Sequence, residues 1–203
     1  MNNNRKRTAL CLLGATLCVF MAFGAALYFG RYPITLQALL AGDAMAVRTF
    51  TVLRLPRAVM ALAGGFGLGV YQTVFRNPLA SPDIIGVSSG ASVGAAFAIL
   101  FVSSGTLGTT ACAFAGGLAA VFLSLGLAAA APGRSKMNLV LAGIAVHALA
   151  QTLLMLLKLT ADPEKELASI EYWIMGSLAG VTQSRVWFPV PMVISCCAVI
   201  FAL

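Results

Sequence analysis

Long uncharged runs separated by short polar breaks dominate this chain. Arg5-Lys6-Arg7 precedes an uncharged run from Thr8 to Gly30. A cleaved signal has the same order of charge and oil, but its apolar core is only about 7–15 residues. The longer run here reads as an anchoring first helix with its N-terminus on the cytoplasmic side. Arg31 to Leu55 is mixed and reads as a loop, with a short interfacial helix around Leu36–Ala46. Pro56 then suits the first turn of a second helix, where its missing N–H is no loss.

That helix ends at Arg76-Asn77-Pro78, because Pro78 pushes Asn77 out of helical geometry. Ser81-Pro82-Asp83 supplies an N-cap, a first helical residue and a first-turn carboxylate for a new segment. From Ile84 to Gly133 the sequence carries no charge. One helix of that length would measure about 75 Å at ~1.5 Å per residue, against a hydrocarbon core of ~30 Å. The segment must fold back, and Ser103-Ser104-Gly105-Thr106 is the expected bend. Pro132-Gly133-Arg134-Ser135-Lys136 closes the second arm. Asp162-Pro163-Glu164 reads as the start of a short helix, with Tyr172 and Trp173 at its membrane-interface level.

The pattern therefore predicts an all-α, polytopic membrane helical bundle. It forms one membrane domain over 1–203, with about six spans at 8–30, 56–75, 84–104, 107–131, 137–158 and 186–203. No polar flank follows Leu203, so the chain is expected to be truncated within its last span.

Composition agrees. Hydrophobic residues make up 60% and charged residues 9%, where a soluble domain carries about 25% charged. The net charge of +7 fits loops that set topology and meet headgroups, and no nucleic-acid partner is expected. Counting loop cations does not orient the chain. Arg5, Lys6, Arg7, Arg76, Arg134 and Lys136 would face inward; Arg31, Arg48, Arg54, Arg57, Lys158, Lys165 and Arg185 would face outward. The five cysteines lie in apolar runs without metal-site spacing and read as small buried hydrophobes.

Several separate blocks resemble the permease family of ABC importers for iron–siderophore complexes, haem and cobalamin (FecCD type). They are Arg54-Leu55-Pro56-Arg57, Gln72, Asn77-Pro78-Leu79-Ala80, Pro82, Gly86, Ser88 and Gly90-Ala91. Leu141-Ala142-Gly143-Ile144-Ala145 and Tyr172-Trp173-Ile174-Met175-Gly176-Ser177 continue the series. The resemblance covers nearly the whole chain, but only the front part of that family's ten-helix subunit. It implies a homodimer or paired permease, a solute-binding protein outside and ABC ATPase subunits inside. It implies ATP and magnesium in those ATPases and no cofactor or metal in this chain. The expected location is the cell inner membrane.

Residue by residue, the resemblance places Arg54 and Arg57 on the extracytoplasmic face, opposite acidic residues of the binding protein. From the residues alone, two cations at a helix start oppose its dipole at about 0.3–1 kcal/mol each, and they could equally reach for lipid headgroups. Asn77, Pro78, Pro82, Gly86, Ser88 and Gly90 form a candidate stretch of irregular backbone at membrane depth. It either lines and braces a substrate path or makes a tight turn between spans. Gly86, Gly90 and Gly94 share a helix face and admit close approach of another backbone. His147, Gln151, Leu154 and Lys158 share another, facing a pathway or hydrogen-bonding a neighbouring helix. The resemblance puts a cytoplasmic constriction at Arg134–Met137. Lys136 and Met137, the possible gate residues, depart from its small polar pattern.

No G-x-x-x-x-G-K-[ST] motif is present, so the chain is not expected to be an enzyme or to hydrolyse ATP itself. Gly86-Val87-Ser88-Ser89-Gly90 fits G-x-S-x-G, but its flanks are membrane-apolar and the lone His147 precedes Asp162, the wrong order for a hydrolase sheet. An intramembrane serine protease is the remote alternative. A secondary transporter or channel-like subunit without an ATPase is the nearer one.

Overall fold

The computed structural model describes residues 2–77, 80–102, 105–133 and 136–202, with the side chains of 2–5 and of Lys136 outside that set. Every regular element among the described residues is helical. Among the described residues, five helices are long and apolar enough to cross a bilayer: Lys6–Tyr28, Ala44–Phe75, Thr106–Ala130, Met137–Thr160 and Gln183–Ala202. The chain divides into two compact units, Met1–Val70 with Leu178–Leu203, and Tyr71–Ser177.

In the first unit, α1 (Asn2–Tyr28) is a single long helix with no acidic residue in its first turn and no basic residue in its last. A short α2 (Leu36–Leu40) follows, capped by the Thr35 hydroxyl, which accepts from the Ala38 N–H at 3.4 Å. Gly42, with φ of 72°, turns the chain. The Asp43 carboxylate caps α3 (Ala44–Arg48) by accepting from the Met45 N–H at 3.1 Å.

From here the fold departs from the sequence reading. The second span does not begin at Pro56. α3, a π segment (Thr49–Arg54) and α4 (Leu55–Phe75) run on without a break. The interfacial helix expected around Leu36–Ala46 is cut at Gly42, and its second half starts the long helix instead. Pro56 is tolerated inside because it falls where the ladder changes register. The Leu55 N–H still bonds to Phe50 O, five residues back. A wide turn ahead of the proline relieves the clash between its ring and the preceding carbonyl. The 32-residue helix is about 48 Å long at ~1.5 Å per residue, longer than a ~30 Å hydrocarbon core is thick. The same unit contains α9 (Gln183–Val186) and α10 (Pro189–Ala202). α10 meets α4 at Gly67, where a Cβ would stand 3.3 Å from Val193 Cγ1.

The second unit begins within α4. After the break come a 3-10 turn (Pro82–Ile85), α5 (Val87–Phe97), a second π segment (Ala98–Val102), α6 (Thr106–Ala130), α7 (Lys136–Thr160) and α8 (Glu166–Met175). The span expected at 84–104 is shorter than foreseen, a continuous helix of only Val87–Val102. Gly86, with φ of 77°, separates it from the 3-10 turn. The expected bend at 103–106 begins with Ser103 and Ser104, which lie outside the described residues.

Small residues bring these helices together. A Cβ on Gly90 would lie 2.6 Å from the Gly116 carbonyl oxygen, and one on Gly94 would collide with the Cys112 carbonyl. Against α7, a Cβ on Gly143 would collide with the Ile84 carbonyl. Such contacts are the means of helix association where lipid removes the hydrophobic drive between helices. Ala96 of α5, Leu154 of α7 and Ile170 of α8 form the buried centre of this unit. α8 starts at Glu166 with Lys165 at the N-cap position, three residues later than an Asp162 cap implies. Asp162 instead caps the preceding turn, accepting from the Glu164 N–H at 2.8 Å, while the Glu166 carboxylate reaches back to the Asp162 N–H at 2.9 Å. The reciprocal pair resembles a capping box.

Candidate functional site

The irregular segment between α4 and α5 draws side chains from three helices. α4 closes with Arg76 at φ of 49°, a left-handed conformation that few non-glycine residues adopt. The Asn77 N–H bonds back to Gln72 O at 3.1 Å, and the Ala80 N–H to Asn77 O at 3.1 Å. Ser81 caps the 3-10 turn by accepting from the Asp83 N–H at 3.1 Å, the role its Ser-Pro-Asp setting foreshadowed.

The freed carbonyls of this segment are then taken up. Gln72 Nε2 donates to Ala80 O at 3.4 Å, and the Tyr71 hydroxyl donates to Ser81 O at 3.2 Å. The fully buried Ser124 of α6 donates to Ile85 O at 2.9 Å. Gly86 O accepts from Ser89 Oγ and from the Gly90 N–H, each at 2.9 Å. Non-helical backbone at membrane depth is tolerated when protein groups satisfy it, and the carbonyls of Asn77, Ala80, Ser81, Ile85 and Gly86 meet that condition. A Cβ at Gly86 would stand 3.2 Å from the backbone nitrogen of His147, so the left-handed residue also rests directly on α7.

Of the sequence candidates here, Gly86 and Gly90 are buried, Pro82 is partly buried, and Asn77 and Ser88 are exposed. Pro78 lies outside the described residues. Two anchoring residues, Tyr71 and Ser124, had no motif to mark them. A solitary serine in the Leu- and Ala-rich run of α6 was the available signal, since hydroxyls in apolar helices seek a partner.

The face proposed for α7 divides. Leu154 is buried, Lys158 pairs with Glu171 of α8 at 2.9 Å, and Gln151 is exposed. His147 is half-buried, and its Nδ1 is buried without a hydrogen-bond partner among the described residues. Ser92 Oγ donates to Ser88 O at 2.9 Å. These bonds do not assemble the nucleophile–base pair a serine protease needs. Met137 is exposed at the start of α7; the Lys136 side chain, with Arg134 and Ser135 of the expected constriction, lies outside the described residues.

The two arginines of the first unit have different roles. Arg54 is buried at 8% exposure. Its Nη1 donates to Leu27 O and Tyr28 O, each at 2.7 Å, and its Nη2 donates to Tyr32 O. Gly30 makes room for this, since a Cβ there would stand 2.7 Å from Nη2. The expected dipole conflict is thereby reversed. Arg54 is not at a helix start; it caps the C-terminal carbonyls of α1, where a cation is favoured by up to about 2 kcal/mol in partly buried geometry. Arg57 is half-exposed and donates from Nη2 to Ala179 O, while its buried Nε has no hydrogen-bond partner among the described residues. Arg185 donates to the adjacent carbonyl, Gly180 O, at 3.4 Å.

Apolar helices of spanning length and an internally satisfied break define a polytopic helical membrane protein. The chain belongs to the FecCD transport family, whose model matches residues 13–203. It is 33% identical over 208 residues to the molybdate import system permease protein MolB of Haemophilus influenzae, covering 95% of this chain and 61% of that one. It is 35% identical over 186 residues to the cobalamin import system permease protein BtuC of Halobacterium salinarum, covering 90% and 47%. A solved structure described as an inward-facing conformation of a metal-chelate type ABC transporter superposes with a TM-score of 0.81 at 31% identity, covering 96% of this chain and 62% of that one. The chain thus spans roughly half to three fifths of the length of these relatives.

Proposed function

We propose that this chain is permease material of an ATP-driven importer for a metal-containing solute, an iron chelate or a cobalamin-type compound. The observation that carries the reading is family membership over residues 13–203 together with the fold match to a metal-chelate type transporter. The chain lies in the cell inner membrane with its N-terminus in the cytoplasm. It pairs with a second permease, alike or different, to form the path. ATPase subunits holding ATP and magnesium drive reorientation from the cytoplasmic side, and a solute-binding protein delivers cargo from outside. The chain performs no covalent chemistry.

The internally satisfied break supports a bracing role for Asn77, Pro82, Gly86, Ser88 and Gly90 beside the path. Arg57, half-exposed, is the docking contact for an acidic side chain of the binding protein. Arg54 acts behind it by fixing the end of α1. Relatives bearing molybdate and cobalamin names leave the choice among metal-containing cargoes to direct assay.

Uptake of labelled ferric chelates and cyanocobalamin into cells tests the proposal. Uptake should need this chain, vanish when the companion ATPase gene is deleted, and persist under a proton uncoupler while ATP is maintained. Uptake that survives loss of the ATPase but not the uncoupler would replace the reading with a secondary transporter.

A further inference from the structure

A cavity of about 500 Å³ opens in the second unit between the first turns of α6 and the start of α8. α6 begins at Thr106 and α7 ends at Thr160, both on helices of spanning length. The cavity therefore lies at the level where two spans leave the hydrocarbon. Tyr172 and Trp173 line it, and both residue types favour that level.

The polar chemistry of its wall is one-sided. Thr109 Oγ1 donates to Gly105 O, Thr110 Oγ1 to Thr106 O, and Ser169 Oγ to Lys165 O. Each hydroxyl proton is committed to its own helix, which leaves oxygen lone pairs to face a ligand. Glu164 and Lys165 also line the cavity, and neither makes an ion pair among the described residues. The neighbouring Lys158 and Glu171 are already paired with each other. The cavity thus offers a carboxylate, hydroxyl acceptors and aromatic faces for a cation, with one ammonium beside them for an anion.

We propose that this cavity binds a phosphoethanolamine group, supplied as the headgroup of phosphatidylethanolamine. The primary ammonium of the ligand donates to Glu164 and to the hydroxyl oxygens of Thr109 and Thr110, over the ring of Trp173. Its phosphate pairs with Lys165. A primary ammonium carries the N–H donors these acceptors require. A quaternary ammonium carries none, and a glycerol headgroup carries no cation.

The test uses the full chain in detergent micelles with Trp187→Phe, so that Trp173 is the sole tryptophan reporter. Dihexanoyl phosphatidylethanolamine should change its fluorescence saturably, and the phosphatidylcholine and phosphatidylglycerol analogues should bind about tenfold more weakly. Glu164→Gln, at an exposed position, should weaken the ethanolamine lipid by about tenfold and leave the glycerol lipid unchanged. Equal binding of all three lipids, or indifference to Glu164→Gln, would overturn the proposal. Free O-phosphoethanolamine separates the sources. Much weaker binding than the lipid supports a membrane ligand; binding as tight would uphold the site chemistry and overturn the lipid as its source.

Discussion

The two units are held by different physics. In the second, glycines at 90, 94, 116 and 143 let helix backbones touch, and the core is continuous from α5 through α7 to α8. In the first, the Lys6–Tyr28 span has no residue buried within the chain, and its C-terminal end is gripped by one guanidinium. The contrast teaches that packing and polar anchoring are separate resources in a membrane protein. Packing distributes stability over many small contacts that tolerate no added atom. A polar anchor concentrates it in one side chain whose loss is local.

Substitution should expose that difference most sharply at the glycines. Gly94→Leu or Gly143→Leu forces a side chain into a neighbouring backbone carbonyl. The cost should exceed the about 1–3 kcal/mol typical of overpacking. The expected outcome is loss of monodisperse protein on size exclusion; a well-folded Gly143→Leu protein would refute the close approach of α7 to the 3-10 turn. Next in size is Arg54→Gln, which deprives three carbonyls of a charged donor. It should destabilise by about 2–3 kcal/mol in detergent unfolding, with Arg54→Lys recovering only part because one ammonium cannot match the guanidinium fork.

Arg57→Glu should leave unfolding within about 1 kcal/mol of wild type, since Arg57 is half-exposed, yet abolish docking of the binding protein to reconstituted protein. Intact docking would remove Arg57 from that role. Smallest is Ser124→Ala, expected to cost about 0.5–1.5 kcal/mol, the range for one buried hydrogen bond between helices. Its signature is faster amide exchange near residues 84–90. No change there would mean Ile85 O finds another donor.

Much of the second unit was legible from sequence because its devices are short-range. Ser81-Pro82-Asp83 announces a cap, and Gly90 and Gly94 announce close approach to α6 through their spacing; Gly86, expected on the same helix face, instead takes a left-handed conformation ahead of α5 and rests on α7. The long-range partners were not legible, because no local pattern says that Ser124 reaches Ile85 or that Tyr71 reaches Ser81. The first unit misled at Pro56. A proline among arginines reads as a helix start, and the π segment that carries the helix through it leaves no sequence mark. The same continuation turns the dipole interaction of Arg54 from unfavourable to favourable, through a partner helix over twenty residues earlier in the chain. Lys158 was legible as polar, but its Glu171 partner became visible only once α8 was placed.

Hydrogen exchange of the full chain in lipid nanodiscs, comparing wild type with Arg54→Gln, tests the division of labour most directly. The expected result is faster exchange confined to residues 25–34, with Val87–Phe97 and the facing part of α6 unchanged. Equal acceleration across both units, or none at the end of α1, would contradict it.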